Sequence, residues 1–329
     1  MKKIIECPMC DGTASLKSEK KKRTFRKEEF DITEFFYLCE KCSEEFTTTE
    51  TDEVNTSQVY NQYREKYNIP FPGQLTEIKN DYGLNSTNFA KLLGFGVNQF
   101  SNYEKGEVPN QSNATLLSMC MEPAEMLKIV KKKQEILSGS QYKKVCKRLD
   151  ELIKNDNAFE LDEYYFNRRQ SPTRLNGYQV PSFEKFANMV LYFISNAQFK
   201  VRLNKLLFYA DFFHFKNFGT AISGAKYAAL PMGPVPDNYA PIFGLIERSG
   251  YVLTDLIDDY EGFVPKEKFN KALFTKNELD SLQNVLDVFE YKKTNDIVEL
   301  SHTERAWIEN EKEKRLISYQ DYAFDLKAI

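Results

Sequence analysis

Two C-x-x-C pairs, ECPMCDG at residues 6–12 and LCEKCSE at 38–44, constrain this chain more than any other feature. Four of its six cysteines fall in the first fifty residues, as C-x2-C-x28-C-x2-C. Each pair can curl as a tight knuckle that turns both sulfurs to one ion. A β-hairpin between the pairs closes a tetrahedral S4 site, which suits a single structural zinc. The predicted ligands are Cys7, Cys10, Cys39 and Cys42, with Pro8 and Asp11-Gly12 at the turns. The intervening RTFRKEEFDITEFFYL contains β-favouring stretches. A redox role needs one pair beside a βαβ unit and leaves the second pair unexplained. With four cysteine ligands no coordination position stays open for catalysis, so the ion's expected task is folding a segment too small to hold itself. Cys120 and Cys146 lie in helical patterns and read as small buried hydrophobes.

The 329 residues suffice for two or three domains, and the net charge of −3 excludes a polycation. No apolar run approaches a membrane span, and MKKIIECPMC lacks the apolar core of a leader, so a cytoplasmic protein is expected. There thiols stay reduced, which again favours metal over disulfide. Residues 17–27 hold seven Lys or Arg against one Glu. A solvated hairpin tip is preferred here over a phosphate contact.

Residues 47–58, TTTETDEVNTSQ, are polar and aperiodic and are predicted to be a linker. Val59, Tyr63 and Tyr67 then mark a short helix, stopped by NIPFPG. Leu75, Ile78 and Tyr82 mark the next, ended by Gly83; Ser86 is the expected cap of a helix carrying Phe89, Leu92 and Leu93. The glycine turn GFG at 94–96 and VNQFSNYEKG complete a helix-turn-helix pattern. Phe100 and Tyr103 face the core there, leaving Val97, Asn98, Gln99 and Asn102 outward. Asparagine amides in that place suit adenine in a major groove, and a small helical bundle without DNA is the alternative. Residues 73–135 carry seven lysines and seven acids, so few phosphate contacts and a shallow salt dependence are expected.

GFGVNQFSNYEKGEVPNQSNATLL resembles the helix-turn-helix of MqsA-type antitoxins, within the Xre-like group, which also begin with a four-cysteine zinc domain of this spacing. The match departs at Asn102, where the family commonly has Arg, so a guanine reader is lost. The resemblance implies base reading by Asn98 and residue 102, a homodimer and a palindromic operator.

From about residue 180 aromatics crowd in. Phe183, Phe186, Val190 and Phe193 or Ile194 lie at helical spacing, as do Leu203, Leu206, Leu207 and Ala210. TAISGAKYAALPMGPVPDNY predicts a loop or small strands, and YVLTDLIDDYEGFV a hairpin. Thr275–Glu278 and Ser301–Glu304 fit capping boxes of two further helices. The fold class expected is mainly α with minor β: a zinc-binding β-hairpin domain, an all-α helix-turn-helix and an α-rich α+β domain. The predicted boundaries are 1–55, 56–135, a helical connector at 136–179, and 180–329.

K-L-L-x-Y, the aromatic A-D helix, A-L-P-x-G-P-V-P and a late L-S-H-x-x-x-A-W resemble the Panacea domain of SocA-like antitoxins over about residues 180–312. What this implies is a module that binds and neutralises a cognate protein toxin, usually encoded next door. Delivery of the toxin to a protease is a variant of that role. The residues proposed to touch it are Tyr209, Asp211, Phe213, His214, Pro234 and Trp307, with Phe215 beside them, because aromatic anchors dominate interfaces. A catalytic pairing of Asp211 with His214 is the weaker alternative to a polar helix edge, and no nucleophile motif or phosphate-cradling loop occurs. A transcription regulator sensing a ligand or a host protein is the other function class.

Overall fold

The computed structural model describes residues 1–155, 164–166, 170–257 and 260–329. It divides into two compact units, Met1–Val59 with Leu161–Ile329, and Tyr60–Glu160.

The first unit opens with an antiparallel sheet in the order β1 (Ile4–Glu6), β2 (Thr13–Phe25), β3 (Glu28–Cys39), β4 (Glu45–Phe46). The β2–β3 hairpin turns at Arg26-Lys27, both at positive φ, which matches the right-handed twist of the strands. Its register runs from Phe25 opposite Glu28 to Ala14 opposite Cys39, so both cysteine pairs arrive at the end away from the tip. The 28 intervening residues are therefore largely two long strands and their turn. Glu34, buried in mid-strand, ion-pairs with Lys21 at 2.5 Å and with Arg23, so the basic cluster is partly neutralised by its own hairpin.

The predicted linker is instead the start of a helix, α1 (Thr49–Tyr67). Its polarity has a partner that the local sequence does not reveal. β4 covers only Tyr37 and Leu38 of β3, leaving the adjoining edge bare. The Asn55 carboxamide takes both backbone groups of Phe35 (2.8 and 2.9 Å), and Gln58 does the same for Thr33 (2.9 and 2.8 Å). Two side chains thus stand in for a strand, satisfying groups that are costly to bury unpaired.

In the second unit follow α2 (Pro72–Tyr82), α3 (Ser86–Leu93), α4 (Gln99–Glu104), α5 (Gln111–Cys120), α6 (Pro123–Lys132) and α7 (Gly139–Asn155). Gly83 and Gly94 close α2 and α3 in the left-handed region that favours glycine. The cap of α3 is Asn85, whose Oδ1 accepts from Asn88 N at 2.8 Å; Ser86, expected in that role, is the first helical residue. The core gathers Leu75, Ile78, Tyr82, Phe89, Leu92 and Phe100 with Leu117, Met126 and Val145. Phe89 stacks on Phe100 at 4.3 Å. Cys120 is buried in this core and Cys146 packs against it, as small hydrophobes.

The rest of the first unit is α8 (Phe183–Phe193), α9 (Lys200–Phe218), β5 (Tyr227–Leu230), β6 (Gly233–Pro236), α10 (Tyr239–Arg248), β7 (Val252–Ile257), β8 (Tyr260–Pro265), α11 (Lys276–Phe289), α12 (Thr294–His302), α13 (Arg305–Ile308) and α14 (Tyr319–Tyr322). The fold is mainly helical with minor strands. Thr275 and Glu278 make the capping box of α11. Ser301 does not cap: it lies in the last turn of α12, donating to Val298 O at 2.7 Å, and Glu304 takes the N-cap position of α13 without a side-chain capping bond. α9 is buried nearly all round, its Phe212 stacked on Tyr319 at 4.0 Å.

Candidate functional site

The hairpin register places all four Sγ atoms of Cys7, Cys10, Cys39 and Cys42 within 4.8 Å of one another. Cys10 and Cys39 are 3.5 Å apart, and Cys7 and Cys42 3.8 Å. Asp11 turns the first knuckle at φ 54°, its amide bonded to Cys7 O at 3.0 Å. The Met9 amide donates to the Cys7 sulfur, and those of Lys41 and Cys42 to the Cys39 sulfur, at 3.4–3.5 Å. The Cys42 amide, foremost, and that of Lys41 pull the Cys39 thiol down to about 6. Four sulfurs so close, with amides aimed at them, could hold a metal ion.

In the second unit, Val97 is 67% exposed, and Asn98 and Asn102 are exposed with Gln99 half-buried. Val97 and Asn98 precede α4 rather than belonging to it, Asn98 being its cap. All four are open to solvent at least in part, while Phe100 and Tyr103 are buried. Glu104 ties α4 to its neighbours, accepting from Ser86 Oγ at 2.5 Å and pairing with Lys79 at 2.7 Å. Arg64 Nη2 donates to the carbonyl of Gly106 at 2.6 Å, fixing the turn that follows.

The C-terminal motifs converge around α9. Asp211 is fully buried and accepts from four donors: Ile222 N (2.9 Å), Ser223 N (2.9 Å), Ser223 Oγ (2.6 Å) and Tyr227 OH (2.9 Å). Burial pushes its carboxyl above the ordinary range and those donors pull back. Lys205 Nζ, also buried, donates to Pro234 O at 3.0 Å, and burial lowers it to about 7. Gly233, at φ +95°, can only be glycine: a Cβ there would meet Ser301 Oγ at 2.4 Å and Lys205 Cε at 2.7 Å. Trp307 stacks on His302 at 4.0 Å and donates its indole N–H to Leu230 O at 2.8 Å, holding the β5–β6 turn down.

The predicted docking residues differ in exposure. Tyr209, Asp211, His214, Phe215 and Pro234 are interior, because α9 is covered by α8, α11, α12 and β6 together; Phe213 and Trp307 are partly open. Asp211 and His214 serve different neighbours. His214 Nδ1 lies 2.9 Å from Ser281 Oγ, whose own proton goes to Asn277 O, so Nδ1 is the donor. Sequence reasoning passed over Ser223 and Tyr227, and gave Lys205 only as part of a motif and Glu304 only as part of a capping box. Glu304 accepts from the amides of Lys327 and Ala328 and anchors the C-terminal segment.

Burial, then the Lys185 charge, lowers His214 to about 3. Unfolded, it takes up a proton near its ordinary value, so between about 6.5 and 3 the unfolded state binds more protons. Its contribution to stability is therefore lost as pH falls through that window, by up to ~1.4 kcal/mol per pH unit. Denaturation midpoints from pH 7 to 4 should fall less steeply for His214→Leu than for wild type. Parallel profiles would show that His214 is not the group responsible.

Compared with known families, residues 5–137 match the one described as the antitoxin component of bacterial toxin-antitoxin system, MqsA. Residues 203–308 match the one described as antitoxin SocA-like, Panacea domain. No curated protein matches the chain. The first match takes in the cysteine cluster and the glycine-turned helices, the second the motifs around α9. The chain joins an MqsA-type antitoxin region to a SocA-like Panacea region.

Proposed function

We propose that this chain is the antitoxin of a bacterial toxin–antitoxin pair, acting in the cytoplasm by binding rather than by catalysis. Its Panacea region binds and neutralises a toxin encoded by the adjacent gene, and its helix-turn-helix binds its own operator. The observation that carries the proposal is the pairing of two antitoxin families in one chain, each over the residues that hold its motifs. In function the chain divides at 1–55, 56–135, 136–179 and 180–329, although the first segment packs with the last.

The metal is one structural zinc: tetrahedral S4 coordination at about 2.3 Å sets sulfurs roughly 3.8 Å apart, which the spacings of 3.5 and 3.8 Å fit. Cys7, Cys10, Cys39 and Cys42 hold it, and its contribution is to staple the end of the sheet. The chain acts as a homodimer on a palindromic operator. There Asn98 and Asn102 read base edges, Gln99 adds a polar contact, and Val97 meets a thymine methyl. Asn98→Ala and Asn102→Ala should each cost about 1–3 kcal/mol of discrimination at one base position. With seven lysines against seven acids in 73–135, the salt slope should stay shallow. Operator titrations at several salt concentrations check both, and a slope on the order of −8 would transfer the binding to another basic surface.

The test of the whole is growth. The adjacent gene is induced alone and then with the full chain. Toxicity relieved by the chain establishes the antitoxin, and toxin level followed in parallel separates masking from delivery to a protease. Absence of toxicity, or of rescue, removes the antitoxin role and favours a transcription regulator.

A further inference from the structure

A cleft of about 810 Å3 opens in the first unit between the N-terminal sheet, α9, α11 and the C-terminal segment. α11 presents Asn277, Ser281, Asn284 and Val288 to it, one helix face through three turns. The floor is apolar where Phe213 and Phe324 reach it. The charged side chains are mostly basic: Lys3, Lys17 and Lys327, with Lys216 held on Leu326 O and Ile329 O at 3.2 and 3.1 Å, line the cleft against one acidic side chain, Asp280.

We infer that this cleft receives an extended acidic segment of the partner protein, an inference that rests on the antitoxin role proposed above. From Asn277 to Val288 the helix rises roughly 16 Å. An extended chain crosses that distance in about five residues. The carboxamides of Asn277 and of Asn284, whose Nδ2 gives one hydrogen to Asp280 O at 2.6 Å and keeps a second, offer donors and acceptors suited to such a backbone. Exposed Lys17 flanks it for carboxylates, with Lys327, whose ammonium also donates to Thr303 O at 3.0 Å, and Phe213 and Val288 offer apolar ground for the side chains between. Nucleic acid is the other polyanion, but the apolar floor suits side chains and not phosphates. The walls come from both antitoxin regions: Leu16, Lys17 and Phe35 from the MqsA-type part, Phe213 and Val288 from the Panacea part. The toxin is thus gripped by the two together, and the basic cluster acquires a role at Lys17 and not at the hairpin tip.

The experiment uses the full chain and the purified toxin encoded by the adjacent gene. Lys17→Glu with Lys327→Glu reverses two exposed charges, Asn284→Trp fills the cleft without touching charge, and Lys268→Glu serves as a surface control. The cleft variants should bind the toxin at least about tenfold more weakly and fail to rescue growth, while melting and binding operator like wild type. Among tiled toxin peptides, an acidic one should compete. If wild type rescues and both cleft variants bind the toxin as tightly as it does, the docking site is refuted and the antitoxin role stands. If wild type itself neither binds nor rescues, both fall. Displacement of the toxin by an oligonucleotide, with no acidic peptide competing, also overturns the inference.

Discussion

Replacing Cys39 by serine should strip the metal from the chain and loosen the cysteine end of the N-terminal sheet. Of the four clustered cysteines, Cys39 is the one most bound into its surroundings. It is buried, ends β3 opposite Ala14, and accepts the amides of Lys41 and Cys42 on its sulfur. Serine can accept such bonds but cannot supply a soft thiolate, and the remaining three sulfurs form an incomplete shell. Because metal binding in a site of this kind is folding free energy, loss of the ion carries local structure with it. Tyr37 reports the change, since its ring stacks on Phe46 at 5.8 Å and its hydroxyl donates to Lys2 O at 2.8 Å. Metal analysis of the full chain should fall from about one equivalent to below roughly a tenth, with loss of near-ultraviolet dichroism from the tyrosine. Wild type treated with a chelator should follow the same course. A serine variant that keeps its full equivalent of metal would refute the four-cysteine site.

The second large effect is expected at Asp211. Asp211→Ala leaves two amides and two hydroxyls facing a cavity with no acceptor, in a site closed to water on every side. Donors orphaned in this way cost about 1–3 kcal/mol each where they cannot turn elsewhere, and breaking a buried charged network about 3–5 kcal/mol in total. The hydroxyls of Ser223 and Tyr227 can rotate, but the amides of Ile222 and Ser223 cannot. A loss near the upper part of that range is therefore expected. The chain has one tryptophan, Trp307, held to Leu230 in this same unit, so its fluorescence follows the relevant transition. Asp211→Asn keeps the volume but points an NH2 group at a donor, and should fall between wild type and alanine. An asparagine variant as stable as wild type would show that the carboxylate is not what the donors require.

Motifs whose meaning lies in short spacing were legible without coordinates. The knuckles at Cys7–Cys10 and Cys39–Cys42, the glycine turn at 94–96, the inward pair Phe100 and Tyr103, the hairpin at 252–265 and the box at Thr275–Glu278 each depend on residues a few positions apart. Steric and hydrogen-bonding rules act at that range, and residue types record them directly. The C-terminal motifs pointed to the SocA-like family for the same reason, as compact strings. In the structure K-L-L-x-Y and the A-D helix build a buried scaffold in which Lys205 holds Pro234 and Asp211 holds the loop at 222–227.

The helix at 49–67 shows the same boundary from the other side. TTTETDEVNTSQ has the composition of a linker, and nothing within it says that Asn55 and Gln58 will meet a bare strand edge 20–25 residues earlier in the chain. Sequence by itself marked the four-cysteine cluster, the helix-turn-helix pattern and the family resemblances, because spacing and local backbone geometry encode them. For the C-terminal motifs, tertiary structure alone decided which polar and aromatic side chains are surface and which are interior. Burial belongs to a residue's neighbours in space, and for α9 those neighbours come from segments scattered over more than a hundred residues.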